Sequence, residues 1–395
     1  MFEVRGRIAS AGNNKTGKDE EKVYGLKPMN CPGHCLLFSA QTRSYKDLPI
    51  RYADFSSLHR NEVSGALSGL TRVRRFHQDD GHIFCRPSQV AEEISKTLQF
   101  VAMVYKTFKL GPYKLVLSTR PKEQYIGTVA EWDRAEDQLK SALDKSGQEW
   151  ALNEGDGAFY GPKIDIILKD SDGKQHQTAT IQLDFQLPQR FKLQYQTPAP
   201  EHEAKCISTT DPVLLHRLGP VTPVIIHRAI FGSLERFMAL LIEHHKGHWP
   251  FWLSPRQAII LAAGESSEAL IKEVQTQAET LSGAVFQETS ESDRIVRPRP
   301  LDEPDFRVDF DISQRTLGKK VQEAKTKKYN LIFVRGPRNL ELGTVDLDVT
   351  GQPDPEATRK VLEEVMGMEV GDERKITLDS GKMGDLMREL NRAYL

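Results

Sequence analysis

Cysteine is scarce in this 395-residue chain: Cys31, Cys35, Cys85 and Cys206 lie scattered, without the spacing of a disulfide scaffold. That excludes a small cross-linked secreted fold and favours a reducing compartment. No apolar run approaches the roughly 20 residues that a membrane-spanning helix needs. The opening stretch, Met1 to Lys22, has neither a signal-peptide core nor a clean transit helix, and Gly6, Gly12, Asn13, Asn14 and Gly17 among charges read as a loop. Charge of one sign is also missing. Lys plus Arg is 54 and Asp plus Glu is 55, a net charge of -1. A globally basic coat is thereby excluded, so a polyanionic partner would have to be met by local patches. Internal repeats and low-complexity tracts are absent too.

What remains is a globular composition on a chain longer than one core usually holds, so two domains are expected. The densest concentration of chemistry runs from Arg60 to His82. Tyr52–Phe55 before it reads as a strand, and Thr71–Phe76 reads as the returning arm of a hairpin across a loop with Ser64, Gly65, Ser68 and Gly69. The hairpin carries Arg60, Arg72, Arg74 and Arg75, the carboxylate of Glu62 and the aromatic Phe76. Guanidinium pairs on a rigid hairpin grip phosphates, and a neighbouring ring can cover a base. A charged surface hairpin is the plainer alternative.

Asn30 reads as the N-cap of a helix through Cys35 to Phe38, placing Cys31 at its mouth. Helices are expected over Ser88–Phe108 and Thr128–Lys145, and strands over Lys114–Ser118, Lys163–Leu168 and Gln177–Phe185, with a turn at Asp170–Gly173. Phe191–Thr222 reads as a long surface loop, Val221–Ile226 as a strand and His227–His245 as a helix. Antiparallel strands with helices to one side imply an α+β layer. The proline-punctuated Trp249–Pro255 reads as the domain joint. Beyond it, strands at Ala258–Leu261, Val285, Phe306–Phe310, Asn330–Val334 and Gly343–Val349 alternate with helices at Ser267–Ser282, Ser313–Lys327 and Glu356–Glu364, a three-layer α/β arrangement. The expected domains are residues 1–250, 256–371 and a helical tail, 372–395.

The Arg60–His82 stretch resembles motif 2 of the class II aminoacyl-tRNA synthetases. Further segments make the chain similar to the threonyl-tRNA synthetase family: Pro28-Met29-Asn30-Cys31-Pro32-Gly33-His34, Phe76 to Phe84, Phe159-Tyr160-Gly161-Pro162-Lys163-Ile164, and Ile226 to Phe237 with its Glu235-Arg236 pair. The resemblance implies a class II catalytic domain followed by an anticodon-binding domain. It implies ATP binding by Arg60, Glu62, Arg72, Phe76, Gln177, Thr180, Ser233 and Arg236. It implies Arg60 and Arg236 as the catalytic pair, with Phe76 and Arg236 on either side of the base. Mg²⁺ is expected with the ATP. It implies a zinc ion held by Cys31, His82 and His227; taken singly, such residues are more often core cysteines and structural histidines. One thiolate and two imidazoles leave an open position for the amino and hydroxyl groups of threonine. Requiring a hydroxyl is how such a site rejects valine. Asp80 would accept the hydroxyl proton, Gln78 the carboxylate side, Tyr160 the amino end, with Lys163 and Gln182 lining the pocket.

The implied activity is threonine–tRNA ligation, with tRNA(Thr), ATP and threonine as partners and a homodimer as the expected assembly. A non-catalytic tRNA-binding relative and a prolyl or seryl enzyme are the alternatives. Threonine-dependent pyrophosphate exchange separates the first from a ligase. A basic run, Lys319, Lys320, Lys325, Lys327 and Lys328, reads either as an anticodon-stem contact or as a solvated helix face. The family's motif 1 and its editing domain have no counterpart among these segments. The lack of the latter and the long Phe191–Thr222 insertion resemble fungal organellar forms, so the mitochondrial matrix is the expected compartment, with the cytoplasm as alternative.

Overall fold

The computed structural model describes residues 1–7, 21–169, 173–264, 267–283, 285–290, 293–297, 305–367, 370 and 376–395. It divides into two compact units, Met1–His244 and His245–Leu395.

The first unit is built on a seven-stranded sheet. Its strands, from one edge to the other, are Ile50–Asp54, Asp80–Cys85, Val224–Ala229, Gln175–Asp184, Lys163–Lys169, Tyr113–Ser118 and Trp150–Asn153. All neighbours are antiparallel except the last pair. Side chains alternate between faces along each strand, so the register decides what meets on one side. His82 opposes His227, His227 opposes Gln182, and Gln182 opposes Lys163. One face therefore carries a polar row across the middle of the sheet. The helices Val90–Thr107 and Val129–Ser146 contribute their apolar stripes to the core, including Ile94, Leu98, Val101, Leu139 and Leu143. A Thr128–Glu131 capping box starts the second of these helices.

Four readings of this unit need correction. The strand Ile50–Asp54 pairs with Asp80–Cys85, not with the arm ending at Phe76. The hairpin is instead Ser57–His59 against Arg75–His77, because the loop between them is held by its own bridge from Ser68 to Arg72. His227 lies in a strand, and the helix begins only at Leu234. Gly232, at φ +64°, makes the intervening turn, where a Cβ would stand 2.3 Å from the Thr178 carbonyl oxygen. Phe191–Thr222 is ordered structure: strands Tyr195–Pro198 and Leu218–Val221 pair, and Tyr195 is fully buried. At the N-terminus, Glu3–Arg7 and Glu21–Gly25 pair as strands, whereas the rest of the expected loop, 8–20, and the turn at 170–172 lie outside the described residues.

The second unit is a five-stranded sheet ordered Val308–Asp311, Ala258–Ala262, Leu331–Arg335, Thr344–Asp348, Ile376–Asp379, parallel over the first three and antiparallel beyond. Strand Val285–Ser290 forms a separate hairpin with Asp293–Arg297. Phe251, in the expected joint, is instead a core residue of this unit, as are Leu386, Met387 and Leu390 of the terminal helix Met383–Arg392. The C-terminal stretch is thus integral to the sheet and core rather than an appended tail.

Candidate active site

Cys31, His82 and His227 come from a helix N-terminus and two adjacent strands, and their ligand atoms lie within 4.8 Å of one another. All three are buried, and the imidazoles meet edge to face at 4.6 Å. Each ring is held from behind. His82 shares a hydrogen bond with His34 between Nδ1 atoms 2.7 Å apart, and His227 Nε2 donates to Asp184 Oδ2 at 2.9 Å. These bonds leave His82 Nε2 and His227 Nδ1 as the ring nitrogens not engaged by those partners. His82 Nε2 is buried with no hydrogen-bond partner, an observation that suits a metal ligand. Burial, then the neighbouring His227, His34 and Arg228, pushes the His82 imidazole down to about 2, so it is neutral. Burial, then Asp80, pushes the Cys31 thiol up. The donor set of one sulfur and two imidazoles matches zinc. Among the described residues this is the one cluster of such side chains close enough to hold a metal.

Beside it, a cleft of about 400 Å³ is lined by Arg60, Glu62, Arg72, Phe76, Gln78, Gln177, Thr180, Ser233 and Arg236. Every residue assigned to ATP from the sequence lines this cleft. Arg60 sits 5.0 Å over the Phe76 ring, and Arg72 is paired with Glu62 at 2.9 Å. Arg236 donates to the carbonyls of Thr71 and Gln177. Burial, then Arg72 and Arg60, lowers the Arg236 pKa. With Arg72 and Arg60 close enough to disfavour the Arg236 charge, the site gains by receiving a polyanion.

Tyr160 donates to Gln182 at 2.7 Å and its ring lies 5.8 Å from His227, while Asp80 accepts the Asn30 backbone N–H. The Tyr160 loop closes tightly at Gly161, where a Cβ would fall 1.8 Å from the Leu183 carbonyl oxygen. Lys163 lies 2.9 Å from Asp165, a buried carboxylate that sequence reasoning passed over. Asp184 was passed over as well, and His34 and Glu235, though inside the quoted segments, were given no role. Glu235 accepts from the His77 backbone and ring, tying the hairpin to the helix bearing Arg236. Strand alternation could have found two of them: Asp165 shares a face with Lys163, and Asp184 shares one with Gln182.

The basic run is less uniform than its sequence. Lys320 is buried, donating to the carbonyls of Ala262 and Asp311, so its place on a solvated face is corrected. Lys325 pairs with Asp348 and Lys327 with Glu323. Lys319 and Lys328 are exposed.

Residues 14–211 match the family described as the tRNA synthetase class II core domain (G, H, P, S and T), and residues 257–361 match the anticodon binding domain. A probable mitochondrial threonine–tRNA ligase of Schizosaccharomyces pombe is 48% identical over 350 residues, 88% of this chain and 69% of the relative. The chain belongs to the threonyl-tRNA synthetases. The cytoplasmic threonine–tRNA ligase of Saccharomyces cerevisiae is 43% identical over 370 residues, but this chain spans only 45% of its length. Among solved threonyl-tRNA synthetases, a structure titled as the RNA binding domain of the Cryptosporidium parvum enzyme superposes with TM-score 0.74 at 43% identity, covering 94% of this chain and 78% of that one.

Proposed function

We propose that the chain activates threonine with MgATP, releasing pyrophosphate, and passes the threonyl group from the adenylate to tRNA(Thr). The observation that carries this reading is the convergence of Cys31, His82 and His227 beside the arginine-lined cleft. The threonine carboxylate attacks the α-phosphorus, an oxygen–phosphorus bond forms, and the bond to the bridging oxygen of pyrophosphate breaks. Arg60, Arg72 and Arg236 offset the charge that builds on the phosphate oxygens, so fixed electrostatics and positioning do most of the work. Glu62 addresses the adenine amino group and Phe76 its face, while Gln78, Tyr160, Lys163 and Gln182 hold the amino acid. Zinc bound by Cys31, His82 and His227 would supply a Lewis acid for the amino and hydroxyl groups of threonine, which valine cannot satisfy. Asp80 takes the hydroxyl's hydrogen bond. A ribose hydroxyl of the tRNA end then attacks the adenylate carbonyl and AMP leaves.

The tRNA is met in the second unit by exposed lysines such as Lys319 and Lys328, and a homodimer is the working assembly. The mitochondrial matrix is the compartment this reading favours, in keeping with the mitochondrial name of the S. pombe relative.

The test is zinc content measured alongside amino-acid-dependent pyrophosphate exchange. About one zinc per protomer is expected, with exchange for threonine, and for valine lower by about 10⁴-fold. Serine, which keeps the hydroxyl, should be rejected far less. Cys31→Ser should lose zinc and exchange together. Zinc-free protein that still activates threonine would defeat the reading.

A further inference from the structure

Asp165 lies two residues along its strand from Lys163, on the same face as the first unit's polar row, buried at 5% exposure. Its carboxylate is saturated by four donors, two to each oxygen. Oδ2 takes the Lys163 ammonium at 2.9 Å and the Ser118 hydroxyl at 3.2 Å. Oδ1 takes the Gln177 side-chain amide and the Thr180 hydroxyl, the latter at 3.1 Å. Gln177 and Thr180 both line the arginine cleft. Three positions apart on a regular strand, they would face opposite sides of the sheet. A bulge brings them together: the register shifts between Ile166 and Ile167, so that Ala179 opposes Ile166 and Gln177 opposes Ile167. Thr178, the extra residue, is tied down by its hydroxyl to Tyr105 and the Ile166 carbonyl.

A carboxylate can only accept. Gln177 must therefore turn its NH₂ group toward Asp165, which leaves its side-chain carbonyl for the cleft. Thr180 must spend its one hydroxyl proton on Asp165 and has only lone pairs left to offer. We infer that Asp165 fixes this wall of the cleft as a pair of hydrogen-bond acceptors, and that their ligand is a hydroxyl donor, the ribose of the nucleotide. Phosphate oxygens and adenine ring nitrogens cannot donate to such a pair, and the adenine amino group, which can, is taken by Glu62 in the reading above, so the ribose hydroxyls are the donors left. Asp165 is a positioning residue here, acting through Gln177 and Thr180. The inference rests on the nucleotide-binding reading of the cleft.

Binding of ATP, 2′-deoxy-ATP and 3′-deoxy-ATP, read by calorimetry, tests it apart from catalysis. Wild-type protein should bind at least one deoxy analogue about tenfold or more weakly than ATP, because removing the donor leaves acceptors unmatched. In Asp165→Asn the carboxamide can donate toward Gln177, whose amide then flips to present NH₂. The preference for ATP should shrink toward unity while zinc content stays at the wild-type level. Thr180→Val, which removes one acceptor and leaves the carboxylate in place, should lower the same ratio part of the way, and it decides the matter if Asp165→Asn does not fold. Equal wild-type binding of all three nucleotides, or undiminished preference in the folded variants, would overturn the inference. Loss of pyrophosphate exchange with intact ribose selectivity would count against the catalytic reading alone.

Discussion

At the residue scale, the two imidazoles that converge with Cys31 are aimed by groups behind them. His34 takes the Nδ1 of His82, and Asp184, buried completely, takes the Nε2 of His227 while its other oxygen accepts the backbone N–H groups of Gln186 and Leu187. Such partners fix ring orientation and raise ligand basicity. His34→Ala should therefore weaken zinc binding by about 10–100-fold, measured by competition with a chromophoric chelator. An affinity equal to wild type would mean that packing alone orients His82. The proposed ligands were legible only through resemblance, because Cys31, His82 and His227 are remote in sequence and each type is commonly structural. Their supporters were harder to see. His34 lies inside a quoted segment, yet nothing in its spacing announces a bond to a strand 48 positions away. Lys320 misled for the opposite reason: charge alone says outside, and two carbonyls at the ends of parallel strands hold it inside.

At the element scale, long periodic helices were readable and short interrupted pieces were not. Prolines and polar residues between Phe191 and Thr222 imitate a loop, yet the segment is organised by one buried cluster. Arg86 holds Glu203 through a pair of bonds at 2.6 Å, and the Tyr195 hydroxyl donates to the same carboxylate at 2.9 Å. No local pattern reveals a pair 117 residues apart. The Arg86 bonds, against an opposing cost of burial and with help from Tyr195, hold the Glu203 carboxyl below its ordinary range. A depressed folded value means that the unfolded chain takes up the proton first as the solution acidifies. The stabilisation is therefore present above the ordinary glutamate range and is lost as pH falls through the lowered value. Glu203→Gln should cost roughly 1.5–3 kcal/mol near neutrality by urea unfolding, since a hydrogen bond to a charged partner is removed. The gap between variant and wild type should close in acid. A gap that stays constant with pH would show that the carboxylate charge contributes nothing.

At the scale of the whole molecule, the Cys31, His82 and His227 cluster and the arginine cleft lie within Met1–His244, and the basic run lies within His245–Leu395. Amino-acid activation and RNA contact should therefore respond to different substitutions. The ion pairs of the second unit say which lysines to choose. Arg315 is engaged by Asp311 and Glu323, Lys325 by Asp348 and Lys327 by Glu323, so their charges are already offset. Lys319 is exposed and free to meet phosphate, whereas Lys320 is buried against two backbone carbonyls. Lys319→Glu should weaken tRNA binding and reduce the slope of log affinity against log salt by about one. Threonine-dependent exchange should be untouched. Lys320→Met should behave as a stability variant, losing about 1–3 kcal/mol because two buried acceptors lose their donor. Its tRNA affinity, measured on protein still folded, should keep the wild-type salt slope. If Lys320→Met lowers that slope and Lys319→Glu does not, the phosphate contact runs through the buried ammonium, and this unit must open to bind RNA.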